Sequence, residues 1–440
     1  MLPNPEERKR MRAEKAAQRA EKQRKGLRIR LIVAAVVVLL CGALIFVLAK
    51  RKPSQDTAEK DPTQSQTTAP AVTEPAKPET TVIHYAAVGD LNVNELTLAS
   101  GGTGYDYTNA FLDVAHLLAD ADIASVNFEG NLVGEPYSGS AAPQSLATAL
   151  QKAGVDLVQM ANSYSVMRGT SGLASSLDAV RAAGMEPVGA YPTNEAYRES
   201  KGYTIRNVQG IKIAFVAFTK GMTVTKDMTS DKDSMTLPKG SEDCVNVLYT
   251  DYDGGYQNLN KAKINTILDA VKKEKPDITV ALLHWGSEYN NTVSKSQESI
   301  VELLQASGVD AIIGTHSHYV QQMSFDGEKG TFVAYSLGDF FANAVWSKKE
   351  EKYYIPSGSE YSVVLDLEIT KDNRTGKTKI TNFSYTPIFT VSEEGKPLRV
   401  VRIREAVEAY KSGYFMKVSQ ETYEKMTYAL ERIDARIAGE

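Results

Sequence analysis

Strand-length apolar runs alternate with amphipathic stretches along most of this chain, and that alternation restricts it to a layered α/β fold. The runs TVIHYAAVGD, DIASVNFEG, VDLVQMAN, MEPVGA, IKIAFVAFT, DITVALLH, VDAIIGTHSH and TFVAYSLG are separated by segments such as YTNAFLDVAHLLADA, SGLASSLDAVRAAG, NKAKINTILDAVKKEK and SQESIVELLQASG. Repeated βαβ units of this kind predict a mainly parallel or mixed central sheet. Two later stretches, YSVVLDLEIT and KTKITNFSYTPIFTV, alternate with period two across a DNRTGK turn. They read as an antiparallel pair.

The regions flanking this core have a different character. Residues 1–30 carry eleven Lys/Arg and four Glu, a net of +7 in a chain of formal charge -4, which leaves -11 on the remainder. An acidic body argues against a nucleic-acid groove. Leu31–Ala49 is 19 residues without a charge, long enough to cross a membrane once, and it is read as an uncleaved transmembrane helix. The basic excess before it places the N-terminus in the cytoplasm and the body outside. Residues 50–79 are rich in Pro, Thr, Gln and Ala, too poor in large apolar side chains to fold, and read as a disordered linker. A folded domain is expected over 80–395 and a helical segment over 396–440. The only cysteines are Cys41, in the apolar segment, and Cys244, so the body forms no internal disulfide and no Cys-based metal site.

Three of the five histidines, His284, His316 and His318, fall where apolar runs end in loops. His84 and His116 read as ordinary polar or packing residues. Parallel α/β sheets build their sites at strand C-terminal ends, and closely spaced imidazoles suit zinc, manganese or iron. The first body run ends in Gly89-Asp90, the second in Asn127-Phe128-Glu129 and the third in Ala161-Asn162-Ser163-Tyr164. If those strands are neighbours, Asp90, Glu129, His284, His316 and His318 converge on one rim. Mixed carboxylate and imidazole donors suit a pair of divalent cations.

These residues also resemble a known family. The GD at 89–90, the N-x-E at 127–129, the AN at 161–162 with Gly169, SLDAVRAAGMEPVGA, HWGSEY at 284–289, GTHSH at 314–318 and YSLGDF at 335–340 follow the order of the bacterial capsule synthesis family called CapA or PGA_cap. That family is similar to calcineurin-like metallophosphoesterases, which implies a four-layer α/β/β/α sandwich, here preceded by one transmembrane helix. The resemblance implies metal ligation by Asp90, Glu129, His284, His316 and His318. It also implies a role beside the membrane in making, exporting or anchoring an anionic polymer such as poly-γ-glutamate, with other membrane capsule-synthesis proteins as partners.

The third motif departs from the family. Where the family usually has Ala-Asn-Asn-His and then Asp, this chain has Ala161-Asn162-Ser163-Tyr164 and then Met167. The second Asn would supply an amide ligand and the His would protonate a leaving group. Asn92 stands where metallophosphoesterases usually have His, and Asp339 where this family usually has Asn, adding a carboxylate or capping a turn. If the site hydrolyses, Glu288 or Tyr164 would assist. The altered motif favours a non-catalytic scaffold that binds polymer or membrane partners through the same pocket.

Overall fold

The computed structural model describes residues 79–225, 232–341, 344–347, 349–413 and 418–439. The predicted basic segment 1–30, the transmembrane helix 31–49 and the linker up to residue 78 lie outside the described residues. Among the described residues no helix is long and apolar enough to cross a membrane.

Two mixed sheets carry the structure; the strand alternation read by itself suggested one central sheet, whereas the family resemblance implied two. The first contains β1 (Thr80–Asn92), β2 (Ile123–Glu129), β3 (Leu157–Gln159) and β4 (Glu186–Val188), parallel and in that order. The second contains β5 (Tyr203–Val208), β6 (Ile211–Thr219), β7 (Ile278–His284), β8 (Ala311–Thr315), β9 (Met323–Asp326) and β10 (Thr331–Ala334), in the order β9-β10-β8-β7-β6-β5. The chain returns to the first sheet through β11 (Asp339–Phe341), which lies parallel to the end of β1. The period-two stretches form the expected antiparallel pair, β12 (Tyr361–Asp372) and β13 (Thr378–Val391), and β12 runs antiparallel to the start of β1.

Side-chain parity explains why two sheets pack. On β6 and β7, Phe215, Ala217, Val280 and Leu282 belong to the core shared with the first sheet, where Phe215 meets Tyr85 edge-on at 5.6 Å. Their neighbours Val216, Phe218, Ala281 and Leu283 face the other way, onto α3 (Lys261–Glu274) and α4 (Lys295–Ala306). Those helices bury Ile264, Ile267, Leu268 and Val271, and Ile300, Val301 and Leu304, the i, i+3, i+4 stripes of amphipathic helices. Each such side chain contributes roughly 1.5–3 kcal/mol. Helices α1 (Gln144–Ala153) and α2 (Gly169–Ala182) supply Leu146, Leu150, Leu173 and Leu177 to the core of the first sheet. A mixed α/β sandwich results.

Two local expectations need correction. YTNAFLDVAHLLADA was read as one helix, but only Ala115–Ala119 is α-helical, after a short turn at Thr108–Ala110. Phe111 stacks on Phe340 at 5.3 Å and meets Phe341 at the same distance, so tertiary packing interrupts the helix. The 396–440 segment, read as helical, opens instead with β14 (Arg399–Arg402), which extends the first sheet beside β13. Helices α5 (Ile403–Lys411) and α6 (Gln420–Ala438) follow and pack on β13, within the same compact unit as the rest of 78–440.

At the foot of both sheets, four aspartates set the register. Asp122, Asp156, Asp277 and Asp310 each precede a parallel strand and accept the backbone N–H of His84, Ala124, Lys212 and Thr279 on the neighbouring one, at 2.7–3.0 Å. Each also donates its own N–H back to the same residue's carbonyl. Lys371 on β12 holds both oxygens of Asp277 at 2.8 Å and so ties the sheets together. Burial pushes the Asp310 carboxyl up to about 6, against the opposing pull of the Thr279 N–H. A raised carboxyl favours the folded state at pH below its unfolded value, and this contribution is lost as pH rises through about 6. Asp310→Asn, which keeps an acceptor and removes the charge, is therefore expected to gain melting temperature relative to wild type between pH 5 and pH 8. A pH-independent difference in thermal unfolding would contradict this.

Candidate metal centre

The parallel strands of both sheets end at the same pole, opposite the aspartate foot, and their last inward-facing residues are polar. On β7, Ile278, Val280 and Leu282 lead to His284, and on β8, Ala311 and Ile313 lead to Thr315 beside it. On β2, Ser125 leads to Asn127 and Glu129. Strict alternation on β1 would aim Gly89 into the cleft rather than Asp90. A bulge prevents this: Ala87 pairs with Ser125, but Asp90 rather than Gly89 pairs with Asn127. Gly89 is required because a Cβ there would lie 1.7 Å from the Gly338 carbonyl oxygen.

Gly338 belongs to the crossing from second sheet to first, residues 335–338. Trp285, fully buried, donates its indole N–H to the Tyr335 carbonyl at 2.9 Å, and Leu337 N–H donates to Gly314 O at 3.1 Å. A Cβ at Gly314 would meet the Tyr335 oxygen at 2.0 Å. The HWG and GTHSH motifs thus anchor the crossing that the YSLGD motif makes. It delivers Asp339 opposite Asp90.

Asp90, Glu129, His284, His316 and His318 are brought together, all buried. Their donor atoms fall into two groups, each within 4.8 Å: Glu129, His284 and His316, and Asp90, His318 and Asp339. Asp339, weighed in the sequence as a carboxylate or a turn cap, is a full member. His318 Nδ1 lies 2.8 Å from Asp339 Oδ1 and 3.9 Å from Asp90 Oδ2, and the His284 and His316 rings are 4.3 Å apart. His316 and His318 adopt φ of 87° and 59°, left-handed backbone that only firm surroundings maintain in non-glycine residues. The His316 N–H donates to Asp90 Oδ2 at 2.8 Å.

Amides hold the ligands from behind. Asn162 donates to Asn127 Oδ1 at 3.1 Å, which orients the Asn127 amide to donate to Asp90 Oδ1 at 2.5 Å and to approach His284 Nδ1 at 3.2 Å. Burial and then the Asp90 charge push Glu129 well above the usual carboxylate range. Burial, helped by the Asp339 charge, moves Asp90 up to about 6 against the opposing pull of His318. Burial alone would lower His318, but Asp339, Glu129 and Asp90 outweigh it and hold the imidazole up at about 10. Burial, Lys220 and His318 keep His284 well below its usual value and neutral. The cleft already draws in positive charge as a proton.

The donor set fits divalent cations. Glu129 Oε1 lies 3.2 Å from His284 Nε2 without hydrogen-bond geometry, and Asn92 Oδ1, also buried, has no hydrogen-bond partner among the described residues. Such orphaned oxygens beside neutral imidazole are what a manganese, iron or zinc site presents before it is filled. Tyr164 and Glu288 border the cleft and are half-buried. Burial, then Glu129 and Glu288, drive the Tyr164 hydroxyl far above its normal range, so it offers a neutral hydrogen bond rather than a proton. Ser163 Oγ sits 3.0 Å from His284 Nε2.

Residues 84–344 match the family described as bacterial capsule synthesis protein PGA_cap. Among curated proteins, the chain is 28% identical over 257 residues to the capsule biosynthesis protein CapA of Bacillus anthracis, covering 56% of each. It is 24% identical over 230 residues to the PGA biosynthesis protein CapA of Bacillus subtilis, covering 51% of this chain and 50% of that one. The chain therefore spans about half the length of the curated relatives it matches. Among solved structures it is similar to a calcineurin-like phosphoesterase, YfkN, of Bacillus subtilis, at 14% identity and a TM-score of 0.41, covering 82% of this chain and 98% of that one.

Proposed function

We propose, since the chain belongs to the bacterial capsule synthesis protein PGA_cap family, that it is a membrane-anchored extracytoplasmic protein that works through a divalent-metal centre in making, exporting or anchoring an anionic capsule polymer. The observation that carries the metal reading is the pair of buried donor groups, Glu129/His284/His316 and Asp90/His318/Asp339. Manganese, iron or zinc held there would neutralise anionic oxygen and activate water for hydrolysis. The chain's own part is to hold that charge in place: Asn127 and Asn162 orient Asp90 and His284, and the bulge at Gly89 aims Asp90. The apolar segment Leu31–Ala49, with basic residues ahead of it, supports the anchor and the outward-facing body.

A second reading, polymer binding without turnover, draws on the third motif. Ser163 Oγ hydrogen-bonds the His284 nitrogen that faces Glu129, and Tyr164 is a poor proton donor at neutral pH. Metal content is the first test. Purified residues 79–440 are expected to hold about one or two equivalents of transition metal by elemental analysis, lost in a His316→Ala, His318→Ala double variant. A folded wild-type protein without metal, even after incubation with manganese, would refute the centre and leave the binding reading.

A further inference from the structure

We propose that Arg436, on the C-terminal helix and outside the segment that matches the family, is a positioning residue for the His316-Ser317-His318 turn. The inference deepens the metal reading above and rests on it for its functional consequence. The turn is strained at both histidines, so something must hold it. Part of the answer is local: Asp90 accepts the His316 N–H, Ser317 O accepts the Tyr289 N–H at 2.8 Å, and Ser317 Oγ donates to Tyr319 O at 2.7 Å.

The rest comes from α6. Tyr319, directly after His318, presents one ring contact to Tyr289, edge-on at 6.0 Å, and Tyr289 in turn lies 5.0 Å from the His318 ring. Tyr319 also packs against the Arg436 guanidinium, 5.0 Å from its ring centroid, while the same guanidinium lies 5.2 Å from the ring of Tyr361 on β12. Among the described residues, Arg436 Nε and Nη1 have no hydrogen-bond partner although both are buried. A guanidinium whose Nε and Nη1 lie buried beside two tyrosine rings without hydrogen bonds is held there by stacking and cation–π attraction. The Tyr319 hydroxyl donates to Ser357 O at 3.0 Å, which fixes the far end of the ring. Arg436 therefore presses a single rigid side chain, Tyr319, against the turn that carries two metal ligands.

The test is hydrogen–deuterium exchange on the full chain, comparing wild type, Arg436→Met and Arg436→Lys, each with and without manganese. Without metal, Arg436→Met is expected to raise exchange of the amides of residues 316–319 about tenfold while those of β8 stay unchanged. Arg436→Lys, which keeps charge but loses the planar stack, should fall between. Unchanged exchange at 316–319, or an equal rise throughout the molecule, would overturn the proposal. With manganese, wild type should become protected at these residues, and Arg436→Met should need about tenfold more metal for the same protection; equal requirement in both would also overturn it. A wild-type protein indifferent to manganese would instead refute the metal centre, with the metal-free comparison still deciding the role of Arg436.

Discussion

A Ser163→Asn, Tyr164→His double variant is expected to hydrolyse a generic phosphodiester about 100-fold faster than the wild-type chain in the presence of manganese, a gain in the range that a well-placed proton donor supplies. Ser163 stands 3.0 Å from His284 Nε2, so an amide at 163 would face the donor group it is suited to complete. At 164 the change is one of acidity. The tyrosine hydroxyl is driven far above its normal range by burial and by Glu129 and Glu288, whereas an imidazole with an ordinary value near 6.5 gives up a proton at neutral pH. Single variants should separate the two contributions, with Ser163→Asn improving metal retention and Tyr164→His improving turnover at saturating metal. If the double variant binds metal as well as wild type and gains no turnover, the cleft does not perform phosphoester chemistry, and polymer binding becomes the working reading.

Gly89→Ala is expected to cost about 3 kcal/mol or more in stability and to abolish metal retention. The clashing atom is the Gly338 backbone oxygen, 1.7 Å from the added Cβ, and backbone on both sides is pinned by the Asp90 N–H to Gly338 O bond at 3.0 Å. Relief would require opening the bulge that aims Asp90. Gly104→Ala, where the added carbon meets nothing within 4 Å and φ is not left-handed, is the control and should lie within about 0.5 kcal/mol of wild type in chemical denaturation. Equal stability of the two variants would show that β1 does not need its bulge.

What could be read in the sequence followed from one regularity. A buried parallel strand must end in a loop, so a polar residue closing an apolar run marks the rim, and Asp90, Glu129, His284, His316 and His318 all carry that mark. Asp339 does not: its strand is three residues long, and the sequence left its carboxylate undecided between ligand and turn cap. The second sheet left no mark in the periodicity and was implied only by the family resemblance, because βαβ units read alike whichever sheet receives them. Residues 203–208 are half-exposed and pair only with β6, so they lack the apolar run that reveals an interior strand. The bulge in β1 carries no periodic signal, since a one-residue slip changes the facing of Asp90 without changing composition. Arg436 was beyond reach for another reason: its partners are Tyr319 and Tyr361, and only the folded chain brings them together.

β1 begins at Thr80, passes the register-setting Asp122 at His84 and carries Asp90 near its end, so the described strand begins ten residues, or about 33 Å of extended chain, below the cleft. That separation governs how the protein should be handled. Captured on a sensor chip through a tag placed ahead of residue 79, it would turn its cleft toward the flowing solution, and polymer fragments too long to diffuse beneath an immobilised molecule would still have access. Captured through its C-terminus it would be oriented differently, because α6 ends beside Gln322, four residues past His318. A comparison of long and short polymer ligands on the two surfaces would thus report the direction of approach, independently of which metal the cleft prefers.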